Sequence, residues 1–357
     1  MDKNFTRQKT VAKEEADWYD ARELTLYGLI PEQELLGRRL PKEIAESVNK
    51  GVFNYSAYCA GGRLRFSTDS SFLALEAQYG PGAVPTVNNH CVSYGLDLYR
   101  CDGETEEFQA AVRPVDGFDY KTGSYKMTTN SQGKLTPYTL NLPVFSSLSD
   151  LQIGIEKGCT ITVGKPYRNE KPVVFYGSSI THGAAAGRPG NTYESFISQT
   201  YNLDYVNLGF SGNAKGEQTM ARYIADLPMS VFVCDYDYNA PTLEHLKNTH
   251  YAFYETIRQK QPDVPYIMIS RPNFFCAPEP NSKRRQVILE SFEKAKALGD
   301  KRVYFIDGET LFEGEFARSC TSDGTHPNDL GFFRMAQKIG PVVEKAYELF
   351  DGGLKIG

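Results

Sequence analysis

The chain has 357 residues, 41% hydrophobic and 23% charged, with a formal net charge of −5. That size points to two domains, each with enough apolar material for a core. The mild acidity gives no basic surface to steer the chain to nucleic acid or an anionic membrane, and no run approaches the roughly 18 apolar residues of a membrane span. The start, MDKNFTRQKTVAKEEADWYD, is polar and lacks an apolar h-region, so no signal peptide is read and a cytoplasmic protein is expected unless a leader has been removed. Short β-like runs follow: GRLRFST (62–68), FLALEAQY (72–79), VSYGLDLYR (92–100), EEFQAAVR (106–113), TPYTLNLP (136–143), LQIGI (151–155) and CTITVG (159–164). An Asp-Gly turn, Asp102-Gly103, separates two of them and predicts a hairpin. Short strands between Gly- and Pro-rich turns predict an antiparallel β-sandwich or jelly roll.

After the linker GKPYRNEK (164–171) the rhythm becomes βαβα, and the expected boundary lies between 168 and 169. Strands are predicted at VVFYG (173–177), YVNLGF (205–210), VFVCDY (231–236), YIMISR (266–271) and VYFIDG (303–308), with a last helix from about Asn328 to Leu349. Five apolar strands separated by helices imply an α/β domain whose parallel sheet is covered on both faces. Ligands of such sheets bind beyond the carboxyl ends of the strands. Ser178, Ser179, Ser211, Asp237, Asn239, Arg271 and Asp307 stand there and are the polar candidates.

Acyl transfer needs a nucleophile, a base, a group that orients the base, and donors for the oxyanion. Ser179 opens the turn after the first parallel strand, in YGSSITHG. Taken alone, a serine there is most often a helix cap. His326 lies in the polar loop CTSDGTHPNDLG, with Asp323 three residues earlier, close enough for a turn to join carboxylate and imidazole. Gly212 and Asn239, after the second and third strands, offer a backbone N–H and a side-chain amide, although turn and cap roles serve each equally well. Rival chemistries lack their residues. There is no G-x-S-x-G, no G-x-G-x-x-G and no Walker A sequence. His245 and His250 are wrongly spaced for a zinc helix, and His90 and His182 lack clustered ligands. Cys234, inside an apolar strand, reads as packed. Seven cysteines with no C-x-x-C pair fit free thiols better than a disulfide framework.

Together these residues resemble the SGNH hydrolases, the GDSL lipase/acylhydrolase family. Gly177-Ser178-Ser179-Ile180-Thr181 resembles the family's G-D-S-[IL]-T, Asn207-Leu208-Gly209-Phe210-Ser211-Gly212 its second block, and Asp237-Tyr238-Asn239 its G-x-N, while Asp323-Gly324-Thr325-His326-Pro327 matches D-x-x-H-P. Gly95-Leu96-Asp97-Leu98-Tyr99 is similar to the G-x-D-L-Y motif of the β domain in one two-domain branch, which includes proteins similar to bacterial carbohydrate esterases. The resemblance implies a flavodoxin-like three-layer hydrolase domain (169–357) after a jelly-roll-like sandwich (1–168). It also implies Ser179 as nucleophile, His326 as base, Asp323 as its orienting acid, and Gly212, Asn239 and the Ser179 backbone as oxyanion donors. No cofactor and no metal are implied. The expected substrate is a small-molecule or oligosaccharide ester, a short acyl group on a sugar. A lipase or thioesterase with the same triad, and a carbohydrate-binding protein with a decayed site, are the alternatives.

Two residues depart from the family pattern. Ser178 replaces the Asp of G-D-S. Asp237 replaces the Gly of G-x-N and is expected to point away from the oxyanion or to pair with a cation such as Arg271, because an inward carboxylate would oppose the developing charge. Tyr193, Tyr236 and Tyr238 lie in loops expected near the cleft, where they could face a sugar or simply pack at domain edges. Asp97, a charged residue inside a strand, must find a partner, which the hydrolase loops could supply.

Overall fold

The computed structural model describes residues 11–114 and 118–351; residues 1–10 of the polar start lie outside the described residues. In chain order the elements begin β1 (Ala16–Asp20), β2 (Thr25–Tyr27), α1 (Lys42–Val48), α2 (Lys50–Ser56), β3 (Arg63–Thr68), β4 (Phe72–Gly82), α3 (His90–Tyr94), β5 (Leu96–Arg100), β6 (Glu107–Val112), β7 (Thr122–Thr128), β8 (Thr136–Asn141), β9 (Ser146–Glu156) and β10 (Ile161–Val163). There follow β11 (Val173–Gly177), α4 (Ser179–His182), α5 (Tyr193–Tyr201), β12 (Tyr205–Gly209), α6 (Gln218–Asp226), β13 (Val231–Asp235), α7 (Leu243–Lys260), β14 (Tyr266–Ile269), α8 (Pro278–Ala297), β15 (Val303–Ile306) and α9 (Asp329–Asp351).

Two compact units form. Among the described residues, the first takes those up to Arg39 with Ala57–Pro166 and Gly187–Gly190, and the second takes Leu40–Ser56, Tyr167–Ala186 and those from Asn191 on. The chain therefore crosses between units more often than a single boundary at 168 allows. Leu40–Ser56 joins the second unit because Ala45 of α1 and Val52 of α2 are buried in its core.

The first unit has two antiparallel sheets, one ordered β1-β9-β4-β7 and the other β10-β3-β8-β5-β6 with β2 paired to β3. One core joins them, with Leu73, Leu75 and Ile153 from the first sheet packed with Leu64, Leu98 and Leu140 from the second. The predicted hairpin forms between β5 and β6. The run 92–100 is not one strand. Asn89 caps α3 by accepting the Val92 N–H at 2.9 Å, and the strand begins only after Gly95.

Asp97 of β5 is fully buried. Its carboxylate accepts the Gly190 N–H at 2.8 Å and the Asn141 amide at 2.9 Å, and it lies 3.2 Å from Nε of Arg188. The partners from the hydrolase-side sequence are thus Arg188 and Gly190, within a segment that belongs to the first unit. Arg188 also lies over the Phe108 ring at 4.1 Å and reaches the Tyr99 hydroxyl at 3.0 Å.

The second unit is a parallel sheet ordered β12-β11-β13-β14-β15. All residues of β11 are buried, so both faces must be covered. Tyr176 and Phe253 of α7 stack at 4.9 Å on one face, where α6, α7 and α8 pack in sequence. On the other face Phe175 meets Tyr193 of α5 at 5.6 Å, and α5 packs on α9. This is the expected three-layer, flavodoxin-like α/β arrangement. No helix among the described residues is long and apolar enough to cross a membrane.

Burial pushes the Asp97 carboxyl up from the ordinary 3.8 to about 6, against the Gly190 and Asn141 hydrogen bonds and the Arg188 charge. The folded state then holds this proton more tightly than the unfolded chain does. Asp97 therefore costs no stability below 3.8, costs progressively more up to about 6, and imposes a constant penalty above that. Asp97→Asn removes the titration. Its melting temperature relative to the wild type should rise with pH across this window and then level off; a pH-independent difference would contradict the assignment.

Candidate active site

β11 is flanked by β12 and β13, and Gly177 pairs in register with Gly209 on one side and Asp235 on the other. Three loops therefore leave the sheet at one level. Ser178 caps α4: its Oγ accepts the Ile180 N–H at 3.2 Å, and its own N–H donates to the Asp235 carbonyl at 3.1 Å. Ser178 is fully buried, so a neutral cap stands where the family pattern has a carboxylate. Ser179 is the first residue of α4. Gly209 lies so close to α4 that a Cβ there would sit 2.2 Å from the His182 backbone nitrogen.

Ser179 Oγ lies 2.9 Å from His326 Nε2, and His326 Nδ1 lies 2.8 Å from Asp323 Oδ2. The loop before α9 makes this possible. A bridge between Thr321 and Pro327 closes it, and Gly324 takes a left-handed φ of 84°. Asp323 Oδ1 accepts the N–H groups of Thr325 at 2.9 Å and His326 at 2.8 Å. Burial pushes the Asp323 carboxyl up, but these hydrogen bonds and the His326 ring outweigh it and hold the group below the ordinary carboxylate value. An ionised Asp323 accepts from Nδ1–H, which leaves Nε2 free of its proton and facing Ser179.

Gly212, with φ 71°, occupies the left-handed region that a side chain would strain, although a Cβ there would meet open space. The Ala214 N–H donates to Asn239 Oδ1 at 3.3 Å, joining the second and third loops and turning the amide's donor end outward from that contact. The loops of Ser179, Gly212 and Asn239 are thus neighbours at the sheet's carboxyl edge, where the sequence had expected them.

Asp237 does not face a cation-free site. Its Oδ1 lies 2.6 Å from Arg284 Nε and 3.1 Å from Arg271 Nη2, and its Oδ2 accepts the Arg271 N–H at 3.1 Å. Arg271 was expected as the partner; Arg284, on α8, was not, because nothing in KRRQ marks one basic residue of a helix as buried. Burial pushes the carboxyls of Asp235, at the end of β13, and Glu194, on α5, well above the ordinary range. That favours their neutral forms.

Other candidates fall elsewhere. Asp307 pairs with Arg285 at 2.7 Å and caps the turn after β15. Tyr193 and Tyr236 are fully buried, so they pack in the core rather than face a sugar. Tyr238 lies under Arg271 at 4.2 Å, with its hydroxyl on the Pro272 carbonyl at 2.9 Å. Burial pushes the Cys234 thiol up to about 12, consistent with a packed residue, and all seven cysteines are free. His182, set aside in the sequence, contacts Ser211.

Residues 170–344 match the family model of the GDSL-like lipase/acylhydrolases, and residues 16–161 match that of the N-terminus of SGNH-hydrolase-type esterases. The hydrolase part of the chain, residues 170–344, belongs to the GDSL-like lipase/acylhydrolase family. Its two-domain branch is the one carrying the G-x-D-L-Y motif. A protein of Bacteroides ovatus, provisionally assigned as a GDSL-like lipase, is similar, at 28% identity over 93% of this chain and 98% of its own, with a TM-score of 0.83. The salicylyl-acyltransferase of a tetracycline biosynthetic pathway shares the fold at 21% identity, over 97% of this chain and 99% of its own, with a TM-score of 0.72. An acetyl xylan esterase of the rumen bacterium Butyrivibrio proteoclasticus does so at 14% identity, over 94% and 99%, with a TM-score of 0.58. No curated protein matches the chain in sequence. This SGNH hydrolase is an ester hydrolase.

Asp237→Ala leaves Arg271 and Arg284 without their shared counter-ion in a mostly buried place. It should lower unfolding stability by roughly 3–5 kcal/mol, measured by urea denaturation. A loss below about 1 kcal/mol would show the pair to be a surface-like contact.

Proposed function

We propose that this enzyme is a serine carboxylic ester hydrolase that removes short acyl groups, acetyl above all, from carbohydrate esters through an acyl-enzyme. The contact of Ser179 Oγ with His326 Nε2 at 2.9 Å carries this reading. Ser179 attacks the ester carbonyl as His326 takes its proton. Asp323 holds the ring and offsets the charge of the imidazolium. The backbone N–H groups of Ser179 and Gly212 and the amide of Asn239 donate to the oxyanion; one such donor is typically worth about 3–4 kcal/mol in the transition state. His326 then protonates the leaving alcohol, and water repeats the cycle on the acyl-enzyme. The ordered triad also argues against a decayed site.

The sugar assignment draws on neighbours in fold: the acetyl xylan esterase, and a family two carbohydrate esterase of Clostridium thermocellum solved with cellohexaose. The free thiols fit a cytoplasmic setting. A second reading has one observation behind it. The salicylyl-acyltransferase, at a TM-score of 0.72, is more alike in structure than these carbohydrate esterases, at 0.58 and 0.57. The same acyl-enzyme would then pass its acyl group to an alcohol instead of water.

The wild type should hydrolyse p-nitrophenyl acetate faster than the octanoate, and should release acetate from acetylated xylooligosaccharides. Ser179→Ala should remove the activity while keeping the melting temperature. A preference for octanoate would turn the reading to a lipase. Transfer to added alcohol outrunning hydrolysis would favour the acyltransferase. An active Ser179→Ala enzyme would sink the assignment.

A further inference from the structure

His182 ends α4 and is fully buried. Its Nδ1 lies 3.0 Å from Ser211 Oγ, and the Ser211 N–H points at the same nitrogen at 3.4 Å. A main-chain N–H can only donate, so Nδ1 is the acceptor and the ring is in its Nε2–H form. Tyr55 of α2 meets the imidazole edge-on at 5.2 Å. The loop is also held beyond Gly212. Asn49, between α1 and α2, donates from Nδ2 to the Asn213 carbonyl at 3.3 Å and to Glu217 at 3.0 Å. Gly51 leaves room for the Asn213 side chain, since a Cβ there would come within 2.0 Å of it. Asn213 Nδ2 in turn donates to the Ser211 carbonyl at 2.6 Å.

These contacts bracket one peptide unit, Ser211–Gly212. Its carbonyl accepts from Asn213, and on its other side His182 accepts from the Ser211 hydroxyl and from the N–H of the preceding peptide. A peptide is planar and trans, so its N–H points opposite its C=O. Gly212 at φ 71° has few side-chain constraints of its own. Its N–H direction is therefore set by its neighbours.

We propose that His182 is a positioning residue for the oxyanion hole: by accepting from Ser211 it fixes the Ser211–Gly212 peptide, so that the Gly212 N–H is preorganised for the tetrahedral oxyanion. The assignment rests on the esterase reading, in which Gly212 is an oxyanion donor. A buried histidine that only fills space would make a different prediction, and two substitutions separate the roles. His182→Leu keeps apolar volume and loses the acceptor. His182→Asn loses volume but can place Oδ1 where Nδ1 was.

The test is steady-state kinetics on p-nitrophenyl acetate with thermal melts of each variant. His182→Leu should lower kcat by about tenfold to 10², the scale of a misplaced catalytic group, with KM changed by less than about threefold. His182→Asn should stay within about threefold of wild type even where it melts lower. Ser211→Ala, which removes the shorter contact, should lower kcat by roughly three- to tenfold at unchanged KM, and it decides the matter if His182→Leu does not fold. A fully active His182→Leu, equal losses in the Leu and Asn variants, or a fully active Ser211→Ala would overturn the proposal while leaving the esterase reading intact. A wild type inactive on every ester would overturn both.

Discussion

Everything in the site depends on three neighbouring parallel strands ending at one level. Gly177, Gly209 and Asp235 are register partners, and the loops that follow them are tied together before any substrate arrives. Ser178 donates to Asp235, Ser211 to His182, and Ala214 to Asn239. A slip of one strand against the next would break these cross-links together. The sheet is buried on both faces, which makes such a slip costly, so the packing of the core and the preorganisation of the loops are one constraint. His326, the proposed base, comes from far along the chain, and its short closed loop lets it approach already oriented by Asp323.

Charge placement is the second theme. The proposed oxyanion site would be hindered by nearby carboxylates, and several lie around it. Each is handled differently. Asp237 is compensated by Arg271 and Arg284, which also fix the turn carrying Asn239 through its main-chain carbonyls. Asp235 and Glu194 are pushed by burial toward their neutral forms. Asp323 is held low by the N–H groups of Thr325 and His326 and by the ring it orients. At the position of the missing family aspartate, Ser178 caps α4 without adding a charge.

Much of this was legible in the sequence, for physical reasons. β11 begins and ends where the apolar run VVFYG does, because a central strand needs continuous apolar residues. D-x-x-H is a local turn, so its geometry follows from spacing. What the sequence hid was tertiary. β7, TGSYKMT, alternates buried and exposed residues but is too polar to stand out as a strand. α3 is short and apolar enough to merge with β5. The move of Leu40–Ser56 into the second unit is invisible in composition, because α1 and α2 each bury only one or two small residues. For the same reason Asn49 and Tyr55 carried no signal, and His182 was judged only as a metal ligand. Tyr193 and Tyr236 read as loop residues near the cleft, but their rings are buried in the core.

The central claim is that Ser179, activated by His326, is the nucleophile. Covalent labelling with a fluorophosphonate, mapped by peptide mass spectrometry, tests it most directly. The account predicts one modified residue, Ser179, and loss of labelling in a His326→Ala variant that still folds. Modification of a different serine with Ser179 untouched, or undiminished labelling without His326, would contradict it.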